Sequence, residues 1–202
     1  MLNAPGNRAP SSGGNVNLAE CTPMFERIRP YRAADVAITI ATTPWERAGY
    51  WALRRQVFLR EQRLFVRSDR DQHDASAFPL VATSLMLGVG TEIVGAVRIY
   101  ETEDRVWFGG RLCVARRYRG THTAERLIRG AVGSARALGC DAFHAHVQER
   151  NVGLFERLDW SALRTEEIAG QPHVLMRATL SAYNPNESLT VACRTRPRLR
   201  TL

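Results

Sequence analysis

Residues 112–138 constrain this chain most. Leu112-Cys113-Val114 reads as the end of an apolar strand, Arg116-Arg117-Tyr118-Arg119-Gly120 as a basic turn, and the residues from Thr123 onward as a helix. Ala124, Leu127, Ile128, Ala131, Val132, Ala135 and Leu138 recur at the spacing of one buried helical face. Thr123 suits an N-cap and Gly139 a C′ position. A strand that feeds a helix through a glycine turn leaves the first N–H groups of that helix without intrahelical partners, at the positive end of its dipole. That geometry suits a phosphate.

The rest of the chain supplies a sheet for this unit to join. A short strand is expected at 36–40, then a helix opened by Pro44 with Tyr50, Leu53, Val57 and Phe58 on one stripe. A charged loop spans 68–76. Strand patterns at 81–89, 92–101 and 105–114 follow one another through short turns, as a meander does. Beyond the long helix come a strand at 142–148, a short helix capped by Asn151, and strands at 160–168 and 173–180. This order predicts an α/β (α+β) fold: a mixed, mostly antiparallel central sheet of about six to seven strands with helices on both faces.

Composition bounds the function classes. Three regions are expected: a flexible N-terminal segment 1–35 rich in breakers, a folded domain 36–182, and an Arg-rich tail 183–202 containing Arg194, Arg196, Arg198 and Arg200. No apolar run has the length of a membrane span, and the first residues lack the apolar stretch of a signal peptide. A cytoplasmic protein with no membrane partner is the expectation. Cys21, Cys113, Cys140 and Cys193 are scattered, which favours neither a disulfide framework nor a zinc site; Cys113 and Cys140 read as inert core thiols. The formal charge is +8 and every basic residue is arginine, so the chain has no side-chain lysine to modify. The basic tail carries no interleaved aromatics for base stacking, so nucleic acid is not an expected partner.

Three motifs carry a family resemblance. Arg117-Tyr118-Arg119-Gly120-Thr121-His122 resembles the pyrophosphate-loop pattern Gln/Arg-x-x-Gly-x-Gly/Ala of the GCN5-related N-acetyltransferases (GNAT), with His122 where the family prefers a small residue. Residues 151–160 resemble the family helix that ends in Tyr-Glu-Lys-x-Gly-Phe; Phe155 stands at the tyrosine and Asp159 at the glycine. Residues 53–62, followed by Asp69, Asp71 and Asp74, resemble a GNAT subset with Arg-x-x-Val-Phe-x-x-Glu-Gln ahead of an acidic loop. Acyl-homoserine-lactone synthases are similar there and at Arg111-Leu112, and so is a nitrogen-starvation-associated GNAT subgroup.

The resemblance implies acetyl-CoA as co-substrate and no metal. It places Leu112, Cys113, Val114, Arg117, Arg119, Gly120, Thr121, His122, Thr123, Ala124, Asn151 and Phe155 in the cofactor site. It also implies transfer of acetyl to a small-molecule amine by direct attack in a ternary complex, with the sheet splayed between 105–114 and 142–148. In many family members the tyrosine protonates the departing thiolate, a role Phe155 leaves vacant. His144 and His146 share one strand face and suit proton transfer near neutral pH; no third ligand accompanies them for a metal. Glu101 stands at a hairpin end, where it could bind a cationic substrate or relay its proton, so His144, His146 and Glu101 are the catalytic candidates. The acidic loop Asp69, Asp71, Asp74 reads equally as an amine site or a solvated loop. Two alternatives remain: a synthase-like acyltransferase with a longer acyl donor, and a non-catalytic CoA-binding module, which Phe155 and His122 support. Pairing through the last strands would give a homodimer.

Overall fold

The computed structural model describes residues 35–103 and 105–186. The expectations for 1–34, Cys21, Cys193 and the arginines at 194–200 lie outside these residues.

Strand β1 (Val36–Ile40) leads into α1 (Pro44–Arg54). The helix starts where it does because Thr43 and Glu46 form a capping box and Pro44 takes the first turn. Its buried residues are Tyr50, Leu53 and Arg54. It then widens into a π-helical turn over Arg55–Glu61, in which the Gln62 N–H reaches Val57 O at 2.9 Å. Val57 and Phe58 are the buried residues of this wider turn. Such turns recur at functional sites.

The sheet continues with β2 (Phe78–Met86), β3 (Val89–Glu103) and β4 (Val106–Val114). Next come α2 (Thr123–Ala137), β5 (Ala142–Gln148), α3 (Val152–Glu156), β6 (Trp160–Ile168) and β7 (Gln171–Ala178). The seven strands lie in the order β1-β2-β3-β4-β5-β7-β6. Only β4 and β5 run parallel; α2 connects them, as a parallel pair requires. The first hairpin turns at Leu87-Gly88, one step ahead of the expected 88–90, because both residues adopt positive φ and let β3 begin at Val89. The α2 N-cap is His122, not Thr123; the Thr123 N–H instead finds Thr121 Oγ1 at 3.3 Å.

Alternation along the strands sends neighbouring residues to opposite faces. Leu80, Ala82, Val97 and Ile99 join Leu127, Ile128 and Val132 in the larger core beneath α2. Val81, Ala96 and Cys113 join Tyr50, Leu53, Val57 and Phe58 in a smaller core beneath α1. On the α2 side a Cβ at Gly95 would lie 2.7 Å from Leu127 Cδ1, so the helix rests directly on β3 backbone. Burial pushes the thiols of Cys113 and Cys140 up to about 12 and about 11, in keeping with inert core residues.

The folded region runs past 182. Tyr183 is buried, and its hydroxyl accepts from Trp160 Nε1 at 2.9 Å while donating to Leu158 O. The Asn186 N–H bonds Gly133 O at 3.0 Å. One aromatic ring with both polar needs met is enough to hold this segment against the core.

Candidate active site

β4 and β5 pair from Val106↔Ala142 to Gly109↔Ala145, and then part. A cavity of about 160 Å³ occupies the opening. On the α2 side it is lined by Leu112, Ile128 and Phe155; on the α1 side by Phe65, Arg111 and His146. The expected splay is therefore present, and the opening passes through the sheet, so two molecules can meet in it from opposite faces.

The β4 wall is irregular at this point. Ala96 pairs with Cys113 and Arg98 with Gly110, leaving Val97 opposite both Arg111 and Leu112. This is a β-bulge, and Arg111 adopts φ +56° within it. Bulges beside active sites re-aim side chains, and left-handed φ on a non-glycine residue costs about 1–3 kcal/mol that the surroundings must over-determine. Arg111 and Leu112 have no register partner among the described residues, so the wall of the cleft is irregular where β5 parts from β4.

The turn after β4 is held from below by buried Tyr118, whose carbonyl accepts from Thr121 Oγ1 at 2.6 Å. Gly120 has φ +74°, and a Cβ there would meet nothing within 4 Å, so the turn borders open space. That space lies in front of the α2 N-terminus. The arginines nearby are already engaged: Arg117 pairs with Glu92, and Arg119 reaches Val114 O at 3.0 Å and Glu61 at 2.5 Å. The Arg119 bond holds the Glu61 carboxyl below its ordinary range. Partly exposed pairs of this kind are worth about 0–1 kcal/mol, so a phosphate can displace them. His122 is 87% exposed and bonds Glu125 at 3.1 Å, not packed into the turn.

The two histidines separate. His146 lines the cavity, and its Nδ1 meets Glu166 Oε2, on β6, at 2.9 Å. A carboxylate at Nδ1 selects the Nδ1–H tautomer and leaves Nε2 as a proton acceptor. His144 is absent from the cavity lining, its Nδ1 is buried without a partner among the described residues, and burial, with Arg177 and His146, pushes its pKa below the ordinary value. Phe108 packs against both rings, with centroids 5.4 and 5.6 Å away. Glu101 is exposed beside the β3–β4 turn, accepts the Arg105 N–H at 3.0 Å, and is not brought to the cavity. Leu112, Asn151 and Phe155 do line it, whereas Cys113 points into the α1 core. Phe155 packs edge-on against Trp160, with centroids 5.0 Å apart.

The three carboxylates of the acidic loop are taken up by arginines. Fully buried Arg54 donates to Asp69 Oδ2, Asp74 Oδ1 and the Tyr50 hydroxyl, each at 2.6 Å. Arg98 clamps Asp71 with bonds of 2.7 and 2.5 Å and reaches Asp74 at 2.8 Å. Arg111 adds bonds to Asp69 O at 2.8 Å and Asp71 Oδ2 at 3.0 Å. Burial alone would raise the Asp74 carboxyl, but Arg54 and Arg98 outweigh it and hold the pKa at about 2. Two signals for this cluster were present in the sequence: Arg54 sits at i+4 from Tyr50 and i−4 from Phe58 on the core stripe, and Arg98 interrupts an apolar strand. Gln62, Leu64, Phe65 and His173, also in the cavity wall, carried no such signal.

A mixed sheet that splits between β4 and β5, beside a strand–turn–helix unit, has the architecture of an acyl-CoA N-acyltransferase fold. The chain belongs to the GNAT acetyltransferase family, whose model matches residues 37–160. It is similar in structure to a Lactobacillus plantarum protein described as an N-acetyltransferase, at 22% identity and TM-score 0.63, over 74% of this chain and 99% of that one. An acyl-CoA N-acyltransferase from Pseudomonas aeruginosa is similar at 20% identity and TM-score 0.59, over 72% and 99%. An aminoglycoside 6′-N-acetyltransferase complexed with coenzyme A is similar at 12% identity and TM-score 0.56, over 72% and 97%. No curated protein matches by sequence. Among the described residues no helix is long and apolar enough to cross a membrane.

Proposed function

We propose that this protein transfers acetyl from acetyl-CoA to a small-molecule amine by direct attack, with the donor entering from the α2 side of the cleft and the amine from the α1 side. The observation that carries this reading is the single cavity through the sheet with His146 and Glu166 on its α1 side. The Gly120 turn and the α2 N-terminus would hold the pyrophosphate; Leu112, Asn151 and Phe155 would line the arm. Acetyl-CoA, when bound, supplies an activated acyl carbon and a thiolate leaving group. His146 Nε2 takes the proton shed by the attacking amine as its bond to carbon forms and the C–S bond breaks. Glu166 stabilises the imidazolium, which returns that proton to sulfur, since Phe155 has no hydroxyl to give. We further propose a cytoplasmic enzyme that forms a homodimer through edge strand β6.

A second reading keeps the fold and lengthens the donor chain. Its support is the apolar end of the cavity at Val97, Ile128, Ala131, Phe143 and Trp160. Calorimetric titration with acetyl-CoA and octanoyl-CoA separates the two. Micromolar acetyl-CoA binding that disappears in Gly120→Asp, with acetyl transfer to amines slowed in His146→Ala, is the expected result. Tight binding of octanoyl-CoA alone selects the longer donor, and no binding of either leaves a non-catalytic module.

A further inference from the structure

Arg111 has a feature that acyl transfer to a simple amine does not require. It projects from the β4 bulge at φ +56°, a conformation that favours glycine, yet the position carries the longest and most polar of side chains. The guanidinium is fixed in place. Nε donates to Asp69 O at 2.8 Å, Nη2 to Asp71 Oδ2 at 3.0 Å, and the plane lies over the Phe65 ring with 4.7 Å to its centroid. Nη1 has no partner among the described residues, although the side chain is only 22% exposed and the residue lines the cavity. A planar cation anchored on two nitrogens with the third left over is arranged to receive an oxyanion.

The surroundings specify the anion further. Asp74 is shared between Arg54 and Arg98, Asp69 pairs closely with Arg54 and at 3.8 Å with Arg111, and Asp71 is shared between Arg98 and Arg111. Burial and the neighbouring Arg98 already disfavour the charged form of Arg111, so an added anion would relieve the site. Phe58, Leu64 and Phe65 line the same side of the cavity, and they suit an apolar body. The α2 N-terminus and the Gly120 turn, where a phosphate fits, follow β4 as separate features. Arg111 is in contact with the loop under α1, on the face from which the amine enters.

We infer that the acceptor is an amine bearing a carboxylate, an α-amino acid with an apolar side chain, and that Arg111 binds that carboxylate through Nη1. This inference rests on the acyltransferase reading for the direction of approach, but the carboxylate contact is testable apart from turnover. N-acetyl-leucine and N-acetyl-leucinamide differ only in that group. Calorimetric titration of the wild-type protein is expected to give roughly 10-fold or more tighter binding of the acid, the scale of one charge-assisted hydrogen bond. Arg111→Gln is expected to erase the difference. Arg111→Gly, which suits the left-handed φ and keeps the bulge unstrained, should erase it too in a protein that unfolds normally. In turnover with acetyl-CoA, both variants should raise KM for leucine roughly 10-fold with a smaller change in kcat, leaving acetyl-CoA affinity unchanged. Equal binding of acid and amide, binding of neither, or a preference that survives both variants overturns the inference, even if acetyl transfer is observed. If the acid preference depends on Arg111 while no acetyl-CoA is bound or consumed, the inference stands and the acyltransferase reading fails.

Discussion

The two faces of the central sheet are built on opposite physical terms. Under α2 the contact is mostly apolar: Leu127, Ile128, Ala131 and Val132 meet Leu80, Ala82, Val97 and Ile99, with Thr123 and Ser134 as the buried polar residues of the helix. Under α1 the apolar patch is smaller, and a cluster of charges lies beside it, with Arg54 fully buried against Asp69 and Asp74. The apolar face needs only volume and periodicity. The charged face needs every partner present, because an uncompensated charge in a dry site costs far more than a lost methyl. The cleft opens between these faces, with Ile128 and Phe155 lining its apolar side and Arg111 its charged side.

The sharpest way to break this contrast is Arg54→Ala. It removes the short pair to Asp69 and leaves Asp74 to Arg98 alone, and the expected loss is about 3–5 kcal/mol in urea unfolding; a loss below about 1 kcal/mol would mean that the cluster does not hold the α1 face. Leu127→Ala, on the other face, should cost about 2–5 kcal/mol from lost transfer energy and the cavity left behind.

Acid titration tells the two faces apart. The Asp74 pKa is about 2 in the folded chain, below its unfolded value of about 3.9. Its contribution is therefore complete above about pH 4 and is lost as pH falls toward 2. Asp71 adds a shift of the same sign, since Arg98 and Arg111 outweigh the effect of burial. Asp74→Asn should flatten that acid limb in pH-dependent unfolding, whereas Leu127→Ala should lower the whole curve without changing its slope. Equal slopes in all variants would assign acid sensitivity to other groups.

Smaller effects sharpen the picture. Thr43→Ala removes the capping-box hydroxyl bonded to the Glu46 N–H at 3.2 Å, and about 1 kcal/mol should be lost in thermal unfolding. Asp141→Asn breaks an ion pair with Arg105 whose side chains are 63% and 56% exposed. A change below about 1 kcal/mol is expected there, shrinking further in high salt.

The apolar face was legible because helical and strand periodicities are local. The seven apolar positions of α2 and the strands at 36–40, 142–148 and 160–168 follow from spacing alone. The turn at Gly120 was legible for the same reason, since strand, glycine and helix are consecutive. The cleft was only half legible. His146 and His144 are equivalent in a period-2 pattern, and nothing local says that Glu166 arrives beside one and leaves the other's Nδ1 buried. Arg111 looked like an ordinary strand residue; the bulge that re-aims it exists only against Val97 of β3.

By itself, the sequence determined the order of elements, the place of the Gly120 turn and the long helix that fills the larger core, because each depends on residues a few positions apart. The tertiary structure decided the fate of every charge that mattered. Asp69, Asp71 and Asp74 became ion-pair partners of Arg54, Arg98 and Arg111, drawn from α1, β3 and β4. A charge's role depends on what surrounds it within a few ångströms, and those neighbours come from strands and loops far apart in the chain.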